Sequence, residues 1–134
     1  MDNYLITGGT GSLGQALTKY LLTKDIESIR IYSRNEFSQV EMQREFKDKR
    51  LRYLIGDIRD KERLKRAVSG VDYIIHCAAL KHVSVCEYNP IEAIRTNIDG
   101  AINVINSAID CEVKKVINIS SDKAVHPINL YGAT

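Results

Sequence analysis

Tyr4-Leu5-Ile6-Thr7-Gly8-Gly9-Thr10-Gly11-Ser12-Leu13-Gly14 is the stretch that decides the fold. An apolar run enters a loop in which Gly8, Gly11 and Gly14 stand three residues apart, and an amphipathic segment, roughly Leu13 to Thr23, follows. A strand, a glycine loop and a helix in that order form a cradle for the diphosphate of a dinucleotide. One glycine permits a tight turn that a side chain would block, a second lets the backbone approach the phosphates, and the third lets the helix pack closely on its strand. The first amides of the helix would point at the phosphates, where the helix dipole also favours negative charge. Thr7, Gly8, Gly11, Ser12, Leu13 and Gly14 are the candidate diphosphate-binding residues. The competing reading is a glycine-rich turn without a ligand.

Farther along, short apolar runs alternate with helical patterns. Strands are expected at Asn3–Thr7, Ile29–Tyr32, Leu51–Ile55, Tyr73–Cys77 and Val116–Ser120. Helices are expected at Leu13–Thr23, about Phe37–Phe46, Lys61–Val68 and, as one long element, from about Pro90 to Ile109. Such alternation makes a parallel sheet covered on both faces, because right-handed crossovers carry the helices there. The expected fold class is α/β, a Rossmann-type doubly wound parallel sheet of about five strands in the order 3-2-1-4-5, with residues 1–134 as an NAD(P)-binding domain. In the long helix Asn89 can cap, Pro90 suits the first turn and Glu92 stands three residues after the cap. Ile91, Ile94, Ile98, Ile102, Ile105 and Ile109 recur at spacings of three and four, which predicts that this stripe faces the core. The charge-rich segment Glu36–Arg50 reads as a mostly solvated helix face.

With 134 residues the chain suffices for one domain of ordinary size or a piece of one. A hydrophobic share of 44% suits a packed core, and a net charge of +2 is too small to point to nucleic acid or an anionic membrane surface. No apolar run approaches the roughly 18 residues of a membrane span. The first strand begins too near Met1 to leave room for a secretory signal. Cys77, Cys86 and Cys111 show no metal-ligand spacing and fit a reducing cytoplasm, so no metal is expected and the expected location is cytoplasmic. His76 reads as a core residue, and His82 and His126 as loop residues near the candidate site.

At the tip of the second strand, NAD-binding domains place an acid against the adenosine ribose. Here the tip reads Tyr32-Ser33-Arg34-Asn35. Ser33 and Arg34 supply a hydroxyl and a guanidinium fork suited to a ribose phosphate, which favours NADP over NAD. A plain surface arginine is the alternative at Arg34. Asp57, just after the third strand, could accept from the adenine amino group while Ile58 covers the ring; a turn-capping aspartate is the alternative there.

Two further blocks narrow the reading. One is HCAALKHVSVCEYNPIEAIRTNIDGAINV, residues 76–104; the other is Ser120-Ser121-Asp122-Lys123-Ala124-Val125 followed by Pro127-Ile128-Asn129-Leu130-Tyr131-Gly132-Ala133-Thr134. With TGGTGSLG and Gly56-Asp57-Ile58-Arg59-Asp60, they make a chain that resembles the extended short-chain dehydrogenase/reductase superfamily. More narrowly, it is similar to the polysaccharide-biosynthesis branch that contains the inverting UDP-N-acetylglucosamine 4,6-dehydratases. The resemblance runs over essentially the whole chain; AALK, CEYNP, the Thr96-Asn97 pair and SDKA…PINLYGAT belong to the branch, whereas the glycine motif is shared by the superfamily.

The resemblance implies roles. Tyr131 matches the catalytic tyrosine that deprotonates the sugar C4 hydroxyl as hydride leaves for the nicotinamide, and Ser121 matches the residue that hydrogen-bonds the same hydroxyl. Asp122 and Lys123 match the acid–base pair for loss of water across C5 and C6, after which hydride returns to C6 and leaves a 4-keto-6-deoxy sugar. Ala78, Ala79 and Lys81 resemble the loop that flanks the cofactor, and Asn97 the superfamily's structural asparagine. The implied partners are a nucleotide sugar, UDP-N-acetylglucosamine in particular, and further copies of the chain in a homo-oligomer. The chemistry is coherent by itself. A phenol with pKa near ~10 is a poor base unless positive charge favours its phenolate. Oxidation at C4 makes the C5 proton acidic, a lysine can take it, and a carboxylic acid can protonate the departing hydroxyl. An ordinary charged turn is the alternative for Asp122-Lys123.

The family tyrosine belongs to a Tyr-x-x-x-Lys motif, and the chain stops at Thr134, one residue before that lysine. The expectation is a truncated Rossmann unit without its substrate-binding region, inactive or nearly so, that still binds the dinucleotide. Strand five would then be an edge exposing Val116, Ile117 and Ile119 and inviting self-association. Two other functions compete: a nucleotide-sugar 4-epimerase of the same superfamily, which needs Tyr131 and Ser121 but not the Asp122–Lys123 pair, and a non-catalytic NADP-sensing regulator.

Overall fold

The computed structural model describes residues 1–77 and 98–119. Strands β1 (Asn3–Thr7), β2 (Ser28–Ser33), β3 (Leu51–Ile55), β4 (Tyr73–His76) and β5 (Lys115–Asn118) form one sheet in the order β3-β2-β1-β4-β5, as expected from the sequence. Every pairing is parallel. Central β1 carries Leu5 and Ile6 side by side, and both are fully buried, because successive side chains leave opposite faces of a sheet covered on both. Ile6 lies in register with Ile31 of β2 and Ile75 of β4, and this isoleucine row floors one face. On the other face Leu5 pairs with Ile74 within a second apolar cluster.

Helix α1 (Ser12–Leu21) buries Gly14, Thr18 and Leu21, one per turn, and with α2 (Glu36–Glu45) covers the Ile6 face through Leu21 and Met42. Helix α3 (Lys61–Val68) and helix α4 (Gly100–Asp110) cover the Leu5 face through Leu64, Ala67, Val68, Val104 and Ala108. Polar residues fix the helix ends. The Asn35 side chain accepts from the Ser38 amide, and Asp60 accepts from the Arg63 amide, each at 3.1 Å. At the far end of α3, Arg30 of β2 donates to the carbonyls of Ala67 and Ser69, where the helix leaves acceptors unpaired and its dipole is negative. Expected and observed boundaries differ by a residue or two at most of the ends, which is where helices and strands fray.

The long helix departs from its expectation in the face it buries. Of the isoleucine stripe, the described members Ile98, Ile102, Ile105 and Ile109 are 45%, 48%, 51% and 68% exposed. The buried face is instead Gly100, Asn103, Val104, Ser107 and Ala108. Small residues are needed there because α4 lies close against α3 and the turn after β3. A Cβ on Gly100 would collide with the Ile58 side chain, and Asn103 donates to the Ile58 carbonyl at 2.9 Å. The remainder of that expectation, including Asn89, Pro90, Ile91, Glu92 and Ile94, lies outside the described residues. Among the described residues β5 stands at the sheet's edge with Ile117 exposed, while Val116 and Ile119 are half-buried against the two clusters.

These opposite faces of one helix should respond differently to substitution. Val104→Ala should cost about 2 kcal/mol in denaturant unfolding, whereas Ile105→Lys should stay within about 0.5 kcal/mol of the parent. The reverse ranking would restore the isoleucine stripe as the core face.

Candidate functional site

The C-terminal ends of the strands carry the candidate residues, and β1 and β4 are where chain connections diverge, the place where open α/β sheets bind ligands. The loop after β1 divides its labour among glycines. Gly8 has φ of 65°, a conformation that L side chains seldom adopt, and its amide donates to the Tyr32 carbonyl at 2.8 Å. Gly14 holds α1 against the loop: a Cβ there would meet the Gly9 Cα at 2.6 Å. Around Gly11 the space is open, with the Gly8 carbonyl at 3.4 Å as the nearest neighbour of an added Cβ. Gly9, which sequence reasoning left out of the site, is equally constrained, since a Cβ there would meet Ile31 at 2.8 Å.

Gly11 also caps α1 and offers no side chain to its amides, and no acid stands in the first turn. The amides of Ser12 and Leu13 find no acceptor among the described residues. Donors left open at a positive helix end, beside a glycine that leaves room for an approaching ligand, fit the diphosphate of a dinucleotide.

Beneath this cradle the tips of β1 and β4 are tied by buried polar groups. The Thr7 hydroxyl lies 2.7 Å from His76 Nδ1, and the Cys77 amide donates to the same hydroxyl at 2.9 Å. The hydroxyl accepts from that amide and shares a hydrogen bond with Nδ1, whose direction follows the tautomer of the ring. Burial pushes the His76 pKa down to about 4. Thr7 is thus a buried tie under the cradle, its side chain fully enclosed.

The tips of β2 and β3 make the adenosine end. The Tyr32 hydroxyl donates to the Asp57 carbonyl at 2.8 Å, and its ring lies so close over Gly56 that no Cβ would fit there. Asp57 is gripped by Arg59, whose backbone amide and Nη2 each donate to the carboxylate at 2.9 Å, while Arg34 Nη1 stands farther off at 3.7 Å. Burial raises the Asp57 pKa, but the Arg59 hydrogen bonds and the charges of Arg59 and Arg34 outweigh it, so the carboxyl titrates below its usual range. Asp57 is therefore an ionised acceptor, and it is Asp60 that caps α3. Ile58 is 5% exposed and packs in the core against Gly100. Ser33 sits at the rim, its Oγ accepting from Gln39 Nε2. Arg59 and Gln39 were not singled out in the sequence; Gln39 in particular hides in a charge-rich segment, and its burial depends on β3 lying beside β2.

Ala78, Ala79, Lys81, Asn97, Ser121, Asp122, Lys123 and Tyr131 lie outside the described residues, as do His82 and His126. Among the described residues there is no cluster of metal-binding side chains and no helix long and apolar enough to cross a membrane.

Comparison with known proteins follows the same lines. The family model described as polysaccharide biosynthesis protein matches residues 4–134. A UDP-N-acetylglucosamine 4,6-dehydratase (inverting) of Campylobacter jejuni is 56% identical over 98% of this chain and 40% of its own length. A UDP-glucose 4-epimerase of Rickettsia felis is 49% identical over 96% of this chain and 39% of its own. The crystal structure of DesIV, a dTDP-glucose 4,6-dehydratase of Streptomyces venezuelae with NAD and TYD bound, superposes with a TM-score of 0.86 at 26% identity, covering 98% of this chain and 47% of that one. The chain thus spans about two fifths of the length of the curated relatives it matches.

The buried tie has a consequence in acid. Because the folded pKa of His76 is about 4 against an ordinary 6.5, the unfolded chain binds a proton that the folded chain refuses between those values. This contribution to stability is complete above pH 6.5 and is lost as the pH falls toward 4. Between pH 7 and pH 5 the loss should be about 2 kcal/mol. His76→Asn should flatten that slope in thermal or denaturant unfolding; an equally steep profile in the variant would reject the assignment.

Proposed function

The chain belongs to the polysaccharide biosynthesis protein family, and from that premise we propose that it is the cofactor-binding part of an NADP-dependent nucleotide-sugar 4,6-dehydratase acting on UDP-N-acetylglucosamine. The observation that carries the cofactor half is the open cradle at Gly11–Leu13, with an exposed Arg34 at the adenosine end whose ion pair with Asp57 is long, at 3.7 Å. The glycine loop would hold the diphosphate, Ser33 and Arg34 the ribose phosphate, and Asp57 the adenine amino group, with Ile58 fixing the Asp57 turn from the core. Bound there, the nicotinamide supplies a reversible acceptor for the electrons and hydrogen leaving sugar C4.

The substrate half rests on the sequence and on the C. jejuni relative. In this proposal Tyr131 takes the proton of the C4 hydroxyl while Ser121 orients that hydroxyl. Lys123 takes the acidified C5 proton and Asp122 protonates the departing C6 hydroxyl. Ala78, Ala79 and Lys81 would border the cofactor, and Asn97 would hold the backbone nearby. Surface polysaccharide synthesis, a cytoplasmic location and a homo-oligomer complete the proposal, the last supported by the apolar surface at Ile102, Ile105, Ile109 and Ile117 and refuted by a monomer in size exclusion at high concentration.

The 4-epimerase is the second reading, favoured by the R. felis relative at nearly the same identity. The Asp122–Lys123 pair favours the dehydratase, because epimerisation at C4 has no use for an acid and a base at C5 and C6. Titration of this chain should show NADP bound more tightly than NAD, with Arg34→Ala weakening NADP roughly tenfold or more and NAD little; NAD binding as tight as NADP would overturn the coenzyme reading. Turnover is measured on a chain that spans the relatives' full length. There, UDP-N-acetylglucosamine should give a keto product absorbing in alkali, and Lys123→Ala should slow it by about 10²–10⁴. A C4 hydroxyl epimer, or unchanged turnover in the variant, would overturn the dehydratase.

A further inference from the structure

We propose that Gln39, buried beneath the tip of β2, sets the coenzyme preference by dictating the direction in which the Ser33 hydroxyl donates. This rests on the Ser33–Arg34 reading above and adds to it a positioning residue on α2.

Gln39 is 4% exposed, and its Nε2 lies 2.8 Å from the Leu54 carbonyl of β3 and 2.9 Å from Ser33 Oγ, with the Ser33 carbonyl at 3.5 Å. A carbonyl oxygen only accepts, so the end of the amide facing Leu54 has to be the NH2, and the usual ambiguity between the two ends of a glutamine is removed. The same NH2 then donates to Ser33 Oγ. The hydroxyl's own hydrogen is turned away from the amide, and among the described residues no acceptor takes it. Ser33 is thereby held as a donor on the rim of the strand tip, 9% exposed and one residue before Arg34.

A donor held in one direction discriminates between ligands. A phosphate oxygen only accepts and, being ionised, takes a stronger bond from the donor than a ribose hydroxyl does, whereas a ribose hydroxyl can be met equally by an acceptor. NAD-type sites exploit that by offering an acid at this tip. Here Asp57 is the acid paired to Arg34, and Arg59 holds it at 2.9 Å while Arg34 stays at 3.7 Å. The pieces point the same way: Gln39 turns Ser33 into a donor, and Arg59 takes the closer contacts on Asp57, leaving Arg34 the longer ion pair. Gln39 also bridges α2, β2 and β3, so its geometry is fixed before any ligand arrives.

Dissociation constants of NADP and NAD, measured by titration of the purified chain and its variants, test this. Gln39→Glu should lower the NADP-to-NAD affinity ratio about tenfold, since a carboxylate accepts the Ser33 hydrogen and turns it inward. Ser33→Ala should lower the ratio to a similar extent, and Gln39→Glu should add little in that background, which separates hydrogen direction from added charge. Gln39→Met, which unpins the hydroxyl without offering it an acceptor and also gives up the bond to the Leu54 carbonyl, should lower the ratio by less. If Gln39→Glu does not fold, Gln39→Met with and without Ser33→Ala carries the same test. Equal weakening of both coenzymes, or a full extra effect of Gln39→Glu on top of Ser33→Ala, would overturn the inference. A parent chain that binds NAD as tightly as NADP overturns the coenzyme reading and this inference together; a parent that prefers NADP while its Gln39 variants keep that preference overturns this inference alone.

Discussion

The contact between two pieces of bare backbone, Gly14 in the first turn of α1 and Gly9 in the loop beneath it, is the constraint on which the cofactor end of this fold depends. A methyl group at Gly14 would push α1 off its strand. The amides of Ser12 and Leu13 would then lose their fixed aim, and Leu21 would lift from the isoleucine row of the sheet. Helix packing and ligand geometry are therefore set by one close approach. Gly8 contributes the turn and Gly11 the open space, so each position in the motif is glycine for a different reason.

Rigidity below the cradle comes from polar groups kept away from water. Thr7, His76 and Cys77 satisfy one another at the tips of β1 and β4, where the sheet would otherwise leave backbone and side-chain groups unpaired beside the crevice. At the other end Tyr32 and Gln39 do the same for β2 and β3. Tyr32 closes over Gly56 and holds the Asp57 turn, and Gln39 stitches Ser33 to Leu54. Of the side chains that would meet a ligand, Ser33 is held by Gln39 and Asp57 by Arg59, while Arg34 keeps only the long ion pair with Asp57. That separation lets the tip of a strand keep its shape while its outermost charges stay solvated.

Helix α4 shows the limit of periodicity as a guide. Two stripes run along it, isoleucines on one and small residues with Val104 on the other, and both repeat every three to four residues. Hydrophobicity favours the isoleucines for the core. The close approach of α3 and of Ile58 favours the small face, because a larger side chain at Gly100 has nowhere to go. Space prevailed over hydrophobicity, and the isoleucines were left outward as an apolar surface.

Local order was legible from residues alone. Strand and helix identity and the glycine cradle follow from patterns spanning a few residues, since a period of two or of three to four residues and a glycine requirement are properties of the chain by itself; the parallel order 3-2-1-4-5 follows from the alternation of those elements and the handedness of their crossovers. The charge character of the β2 tip was equally readable in Ser33 and Arg34. Tertiary structure decided what depends on which elements become neighbours: the inward face of α4, the core position of Ile58, the bond between Thr7 and His76, the Arg59 grip on Asp57 and the Gln39 bond to Ser33. Each of these joins elements whose spacing is set only when the sheet closes, and no short-range pattern encodes the distance between them.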